Sequence, residues 1–437
     1  MTAPRRAFVL GGGIAGIVAA FGLRDRGFSV TLLESRRWLG GRAFSSPDPA
    51  TGWVLDNGPH VMLGCYRSMR ALLRRLGSEH AFEQDTKLRL AARDARGRHA
   101  QLRLSRLPVP LAMPPALLRL PLSWAGRLRA LRGMVATLGR TPPEWSLADW
   151  FRRRGQHGEP DAWLWRPLCR AIMNVEPELA SARDFLATLR IAFSGSAADA
   201  AFWLPKRPWG EIVGEPALRT LLADGVDVRC GARVVRCQVT DARVTLLEVA
   251  DGEPIAVGER DVVVAALPWF AARDLWPALG AAAQLQASPI VSAYFETARG
   301  APHLPVDGPV VSLVDGDPFH FVLRTPGADV RRFALLSGGN RVFDGMTVDA
   351  IADLARSQVE RHYPGWAGGR AATVRIRKEQ LATFVAAPGV AVRLAPDRPA
   401  AGLTNLWCCG DWTATGLPAT LEGAARSAEL VVRGVGG

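Results

Sequence analysis

Ala7-Phe-Val-Leu-Gly-Gly-Gly-Ile-Ala-Gly16 is the stretch that decides the fold. Its first four residues are an apolar, β-prone run, and Gly11-x-Gly13-x-x-Gly16 follows without a gap. An apolar helix pattern then opens at Ile14 and runs to about Arg26, with Gly27 placed to end it. In a strand–turn–helix unit each glycine has its own task. The first permits the tight turn, the second lets a pyrophosphate approach the backbone, and the third lets helix pack on strand. The N–H groups at the helix start, on Ile14 and Ala15, would meet the negative charge that the helix dipole favours. A glycine turn alone is a weak signal, and two neighbours strengthen it. A second apolar run, Ser29 to Leu33, ends in Glu34 and Ser35, where an acid should accept from a ribose hydroxyl. Gly40-Gly41-Arg42 then supplies another close-approach turn followed by a cation.

At 437 residues the chain is long enough for two domains. Its formal net charge of +13 is carried almost wholly by arginines scattered along the sequence. Scattered arginine is ordinarily solvated surface, and no nucleic-acid motif accompanies it. Nucleic acid is therefore excluded as a partner, and an anionic membrane surface is the better candidate. The six cysteines show no metal or redox spacing, so no metal site is expected. Cys408 and Cys409 are adjacent, and neighbours on a strand point to opposite faces, which disfavours a bridge between them. Reduced, buried cysteines of a cytosolic protein are the expectation. No signal peptide is read, because glycines interrupt the N-terminal apolar segment and no small-residue cleavage site follows. No apolar run approaches the roughly 20 residues that would span a bilayer. The expected location is cytoplasmic, with peripheral contact to the inner membrane.

Along the chain, Trp53-Val-Leu-Asp-Asn-Gly-Pro-His60 carries a tight turn at Asp56–Pro59 with polar residues on each side. Cys65 to Leu76 reads as a helix and Lys87 to Leu104 as a hairpin. Between Leu107 and Arg140, prolines 108, 110, 114, 115 and 121 break an apolar run, and arginines punctuate the second half. That segment reads either as a membrane-interface element or as the helical lid of a substrate domain with its arginines in water. Leu147 to Phe193 is helical, with Ser181 as an N-cap. Phe202 to Gly210 is read as a connector, and Glu211 to Ala223 as a helix. Asp261 to Pro268 is a buried parallel strand. Leu406 to Asp411 is a strand that delivers an acid, and Pro418 is expected to open the last helix.

The glycine fingerprint, the Gly40-Gly41-Arg42 turn and the terminal strand–acid–helix unit together resemble the flavin amine oxidase and phytoene desaturase superfamily. Asp56-Asn-Gly-Pro-His-Val-Met-Leu-Gly-Cys-Tyr66, Asn174-Val-Glu-Pro-Glu-Leu-Ala-Ser181 and Gly410-Asp-Trp-Thr-Ala-Thr-Gly-Leu-Pro-Ala-Thr-Leu-Glu-Gly-Ala424 are similar to the bacterial squalene-associated, FAD-dependent hydroxysqualene dehydroxylases. Pro59 departs from that pattern, where glutamine is expected. The resemblance implies an α/β protein with a discontinuous Rossmann-like FAD-binding domain and a mixed α+β substrate domain. The first would be assembled from residues 1–85, 205–270 and 400–437, the second from 86–204 and 271–399.

The resemblance also implies site roles. Gly11, Gly13, Ile14, Ala15 and Gly16 would cradle the pyrophosphate of a non-covalent FAD. Glu34 and Ser35 would hold the adenosine ribose, and Gly41 and Arg42 would lie at phosphate. Gly58, Pro59 and His60 would sit beside the isoalloxazine, and Val235 would meet the adenine through its backbone. Gly410 and Asp411 would hold the ribityl or phosphate end. Leu421 would present a helix N–H to the pyrimidine oxygen. His60 is the candidate catalytic acid because an ordinary imidazole titrates near neutrality, and it also reads as a histidine that only hydrogen-bonds backbone. Tyr66 and Glu422 are further candidates. The implied reaction is reductive dehydroxylation of hydroxysqualene to squalene, in hopanoid or triterpene biosynthesis. The alternatives are a carotenoid desaturase, another amine oxidase-like enzyme, and a non-catalytic prenyl-lipid carrier on the same scaffold. Dehydroxylation needs an external electron donor, and only one dinucleotide fingerprint is present.

Overall fold

The computed structural model describes residues 4–105, 107, 109–193, 195–306, 308–326, 331–366, 368, 372–390 and 393–435, so Pro108 lies outside the described residues. Five short strands pair into one sheet in the order Asp227–Cys230, Ser29–Glu34, Arg6–Leu10, Val262–Ala265, Leu406–Cys408. Every pairing is parallel. Val262–Ala265 and Leu406–Cys408 are buried throughout, as parallel strands covered on both faces must be. On one face lie the helices Ile14–Asp25 and Leu421–Val435. They approach closely enough that a Cβ on Gly22 would come within 2.8 Å of Val432. Alternation along each strand sends neighbouring residues to opposite sides. Cys408 joins the core beneath the sheet while Cys409 joins the helix-side core. All six cysteines are free thiols.

The long excursions between these strands build a second layer. Seven strands run in the order Thr373–Phe384, Ala287–Glu296, Arg332–Gly338, Phe321–Arg324, Val310–Leu313, Arg89–Arg93, His99–Arg103. All neighbours are antiparallel except Val310–Leu313 with Arg89–Arg93. The helix Val348–His362 covers one face through Ile351, Ala355 and Val359. Helices between Val109 and Phe193 share a core with the hairpin end of that sheet, where Ala100 and Leu102 meet Ala112, Met113, Trp150 and Phe185.

Three expectations are corrected. Phe202–Pro205 is not part of a connector but the central strand of a small sheet with Met62–Leu63 and Phe82–Gln84. Trp203 buried under that sheet outweighs the proline signal that follows. The last helix opens at Leu421 rather than Pro418, because Thr420 caps it: its Oγ1 accepts from the Gly423 N–H at 2.9 Å. The stretch Val109–Leu117 remains helical through Pro114 and Pro115. Burial of Ala112, Met113, Ala116 and Leu117 outweighs the lost backbone bonds.

Candidate active site

One cavity of about 1370 Å³ gathers residues from both ends and the middle of the chain. Gly11, Gly13, Ile14, Ala15, Glu34, Ser35, Gly41, Arg42, Gly58, Pro59, His60, Val235, Gly410, Asp411 and Leu421 all line it. Gly16 does not. Its task is packing: a Cβ there would stand 1.8 Å from the Gly11 carbonyl oxygen. Gly11 holds φ +102°, a conformation that favours glycine, and its N–H donates to Leu33 O at 2.8 Å. The second glycine turn lies directly on the first. Gly40 N–H donates to Gly12 O at 2.8 Å, and a Cβ on Gly41 would meet Gly13 Cα at 2.9 Å. Bare backbone therefore floors this end of the cavity.

The helix Ile14–Asp25 has neither a side-chain cap nor an acid in its first turn, which leaves its N-terminal N–H groups without side-chain partners. Leu421 brings a second helix N-terminus to the same volume. Glu34 is buried and tied on both oxygens: Oε2 accepts from Gly12 N at 2.6 Å, and Oε1 from Arg36 N at 2.8 Å and Ser35 Oγ at 3.1 Å. A carboxylate offers about four acceptor positions, so room for one hydroxyl donor remains. Arg42, expected at a phosphate, lines the cavity and is held by two protein partners. One guanidinium nitrogen pairs with Asp411 at 2.6 Å and the other donates to Ala382 O at 2.6 Å. Bare turns and two helix N-termini offer N–H donors that suit an anionic pyrophosphate, and the Glu34 carboxylate offers an acceptor that suits a ribose hydroxyl.

His60 stands on a turn bolted from three sides. Asp56 Oδ1 accepts from Ser45 Oγ at 2.6 Å and Trp209 N at 2.9 Å, while the Tyr294 hydroxyl donates to Asp56 O at 2.9 Å. Trp209 Nε1 donates to His60 O at 3.3 Å, and its ring meets the imidazole edge-on at 5.6 Å. Trp209 belongs to the stretch read as a connector. Its role is visible only once the chain is folded. Enclosure by protein, with the Arg42 charge adding to it, lowers the His60 pKa to about 4. The imidazole is thus neutral at pH 7, which corrects the expectation of an ordinary near-neutral acid. A contact of the imidazole with the Gly58 backbone pulls weakly the other way, and Nδ1 forms no hydrogen bond of full geometry among the described residues. Tyr66 and Glu422 also line the cavity. Burial pushes the Tyr66 phenol up. Glu422 is occupied structurally, its two oxygens accepting from Ser68 and Met69 N–H at 3.0 Å each, at the start of the helix Arg67–Arg75.

Burial also raises the Asp56 carboxyl to about 6, against which the Ser45 and Trp209 donors pull only partly, and Oδ2 has no partner among the described residues. A native pKa above the unfolded value means stability that is full below about pH 4 and lost as pH rises through about 6. Asp56→Asn, which does not titrate, is therefore expected to gain on the parent protein between pH 5 and pH 8. Thermal melting at the two pH values checks this. A gap between the two proteins that stays constant with pH would contradict it.

Beyond His60 the cavity becomes an apolar chamber. Val310, Phe321, Leu323 and Leu336 line it from one face of the seven-stranded sheet, and Trp163, Leu164, Leu168, Ile191 and Phe193 from the helices. The polar groups at its wall were not foreseen as a set. Asn57 Nδ2 donates to Glu379 Oε2 at 2.7 Å, and Asn174 Nδ2 to Thr383 Oγ1 at 2.9 Å and Ser288 Oγ at 3.0 Å. Arg170 is neutralised by Glu176 at 2.7 Å and Asp317 at 3.4 Å. Arg170 and Glu176 are six residues apart, but the other partners lie more than a hundred residues apart in sequence, so no local spacing announces them.

The family model for flavin containing amine oxidoreductases matches residues 14–435. A hydroxysqualene dehydroxylase of Sinorhizobium fredii is 28% identical over 438 residues, covering 97% of this chain and 96% of its own. A 15-cis-phytoene desaturase of Synechococcus elongatus is 22% identical over 98% of this chain and 95% of its own. In fold, the chain is similar to the crystal structure of an oxidoreductase from Methanosarcina mazei, with TM-score 0.75 at 14% identity, covering 97% and 99% of the two chains.

Proposed function

Because the chain belongs to the flavin containing amine oxidoreductase family, we propose that it binds FAD non-covalently and reductively removes the hydroxyl of hydroxysqualene to give squalene. Membership in an oxidoreductase family sets aside the non-catalytic lipid carrier. The observation that carries the reading is continuity: the glycine turns and the apolar chamber are two ends of one cavity of about 1370 Å³. Pockets for a single drug-sized ligand run to about 300–1,000 Å³, and this larger volume supports a dinucleotide and a long apolar chain together. The near full-length likeness to a hydroxysqualene dehydroxylase favours dehydroxylation among isoprenoid reactions.

In this reading Gly11, Gly13, Ile14 and Ala15 would hold the pyrophosphate and Glu34 the ribose. Asp411, Arg42 and the helix N-terminus at Leu421 would hold the flavin end. A bound flavin would supply two-electron chemistry, with electrons from an external donor. The protein contributes binding, exclusion of water and orientation. His60, neutral and wedged by Trp209, would act as a fixed hydrogen-bonding group rather than as an imidazolium acid.

The direct assay incubates the FAD-loaded protein with hydroxysqualene and dithionite without oxygen. Squalene is the expected product. The phytoene desaturase likeness supports a second reading, and new double bonds in phytoene under oxidising conditions, with no squalene in the first assay, would replace the first reading by the second. His60→Ala is expected to retain FAD and to slow turnover at least about tenfold. With its pKa near 4, His60 should add no limb to the pH profile of the wild-type enzyme between pH 5 and 8. Unchanged single-turnover kinetics in the variant would remove His60 from the mechanism.

A further inference from the structure

The helical pair ahead of Leu138 turns its large apolar side chains outward. On the helix Trp124–Ala136 the side against the protein is built from Gly126, Ala130 and Gly133. That contact is so close that a Cβ on Gly133 would lie 2.3 Å from Gln156 Oε1. The outer side carries Trp124, Leu128 and Val135 at helical spacing, continued by Leu138. Trp124 is 76% exposed and Leu138 75%. Leu111 and Leu118 in and just after the preceding helix are exposed as well. A water-facing amphipathic helix does the reverse, hiding tryptophan and leucine and showing small or polar residues.

Charge identifies what covers this face. From Leu107 through Pro143 the chain holds five arginines and no aspartate or glutamate. Arg119, Arg132 and Arg140 are exposed, and the Arg127 guanidinium lies over the Trp124 ring at 4.7 Å. We propose that this face docks on an anionic lipid bilayer, with the apolar row entering the acyl boundary and the arginines meeting lipid phosphates. Among the described residues no helix is long and apolar enough to cross a membrane, so the contact lies in the plane of the interface. Leu120, two residues past the exposed Leu118, turns inward and lines the apolar end of the cavity. A single segment of chain thus separates bilayer from chamber. If the isoprenoid reading above holds, on which this second step rests, a water-insoluble substrate reaches the chamber from the bilayer without crossing water.

The test floats the FAD-loaded, full-length protein with vesicles of phosphatidylcholine alone and of phosphatidylcholine mixed equally with phosphatidylglycerol. Binding to the mixed vesicles, weakened by salt, is expected. Trp124→Glu/Leu138→Glu should lower partitioning at least about tenfold while melting temperature and flavin retention stay unchanged. Arg119→Gln/Arg132→Gln should remove the preference for anionic vesicles. Turnover of vesicle-borne hydroxysqualene should fall in the first variant, and turnover in detergent should not. Equal partitioning of variants and parent would overturn the proposal, as would a dimer formed through Trp124 and Leu138 with no vesicle binding. Vesicle binding as expected, without turnover in either presentation, would uphold the docking face and defeat the substrate reading instead.

Discussion

Gly16→Val is expected to leave the purified protein colourless and to lower its melting temperature by several degrees. The cause is steric and local. Even the first side-chain carbon at this position would lie 1.8 Å from Gly11 O and 3.3 Å from the Ala266 side chain. Neither a backbone carbonyl in a tight turn nor the residue after a central strand gives way cheaply. The helix Ile14–Asp25 must then lift from the sheet, and the N–H groups that face the cavity move with it. Gly13→Ala separates this effect from ligand contact. Gly13 already has φ −73°, which alanine adopts freely, and the atom nearest its added carbon is Gly41 Cα at 3.8 Å. The Gly13 variant should therefore melt with the parent protein in the apo form and yet retain FAD at least about tenfold less tightly. The ratio of flavin to protein absorbance reads retention, and thermal melting of the stripped proteins reads packing. Normal flavin retention in Gly16→Val would show that the turn tolerates what its geometry forbids.

Asp411→Ala carries the second large effect: flavin retention falls at least about tenfold, with a smaller change in apo stability. Asp411 is almost wholly enclosed and pairs with Arg42, whose side chain keeps about a third of its exposure. Removing the acid leaves a cation that water still reaches and that Ala382 O still holds at 2.6 Å. Removing the base by Arg42→Ala leaves a buried carboxylate without its ion-pair partner, with the Arg393 charge still acting on it, which is the costlier direction. Arg42→Ala should accordingly melt lower than Asp411→Ala, by roughly 1–3 kcal/mol in unfolding free energy. Equal flavin retention in Asp411→Ala and the parent would remove this acid from the cofactor site. A lower melting point for Asp411→Ala than for Arg42→Ala would contradict the exposure argument.

Much of the fold was legible because it is written in short-range patterns. The run from Ala7 to Gly16 needs only neighbours to become strand, turn and helix. The cap at Ser181, with its side-chain oxygen accepting from Asp184 N at 3.3 Å, follows the same local chemistry. Where local rules competed with burial, burial won. Pro114 and Pro115 stay inside a helix whose inner residues are sunk in the core, and Trp203 sits beneath a strand where a loop was expected.

The sequence by itself determined the strand, glycine turn and helix from Ala7 onward and the apolar strands at Ser29–Leu33, Asp261–Pro268 and Leu406–Asp411, since strand period, turn chemistry and helix caps act over a few residues. Only the tertiary structure decided which side chains face one another: Arg42 with Asp411, Asn57 with Glu379, His60 with Trp209, each joined across long stretches of chain. It also decided the protonation states. A histidine held to about 4 and an aspartate raised to about 6 are set by how much protein surrounds each group, and enclosure sums over the whole chain rather than over any spacing in it.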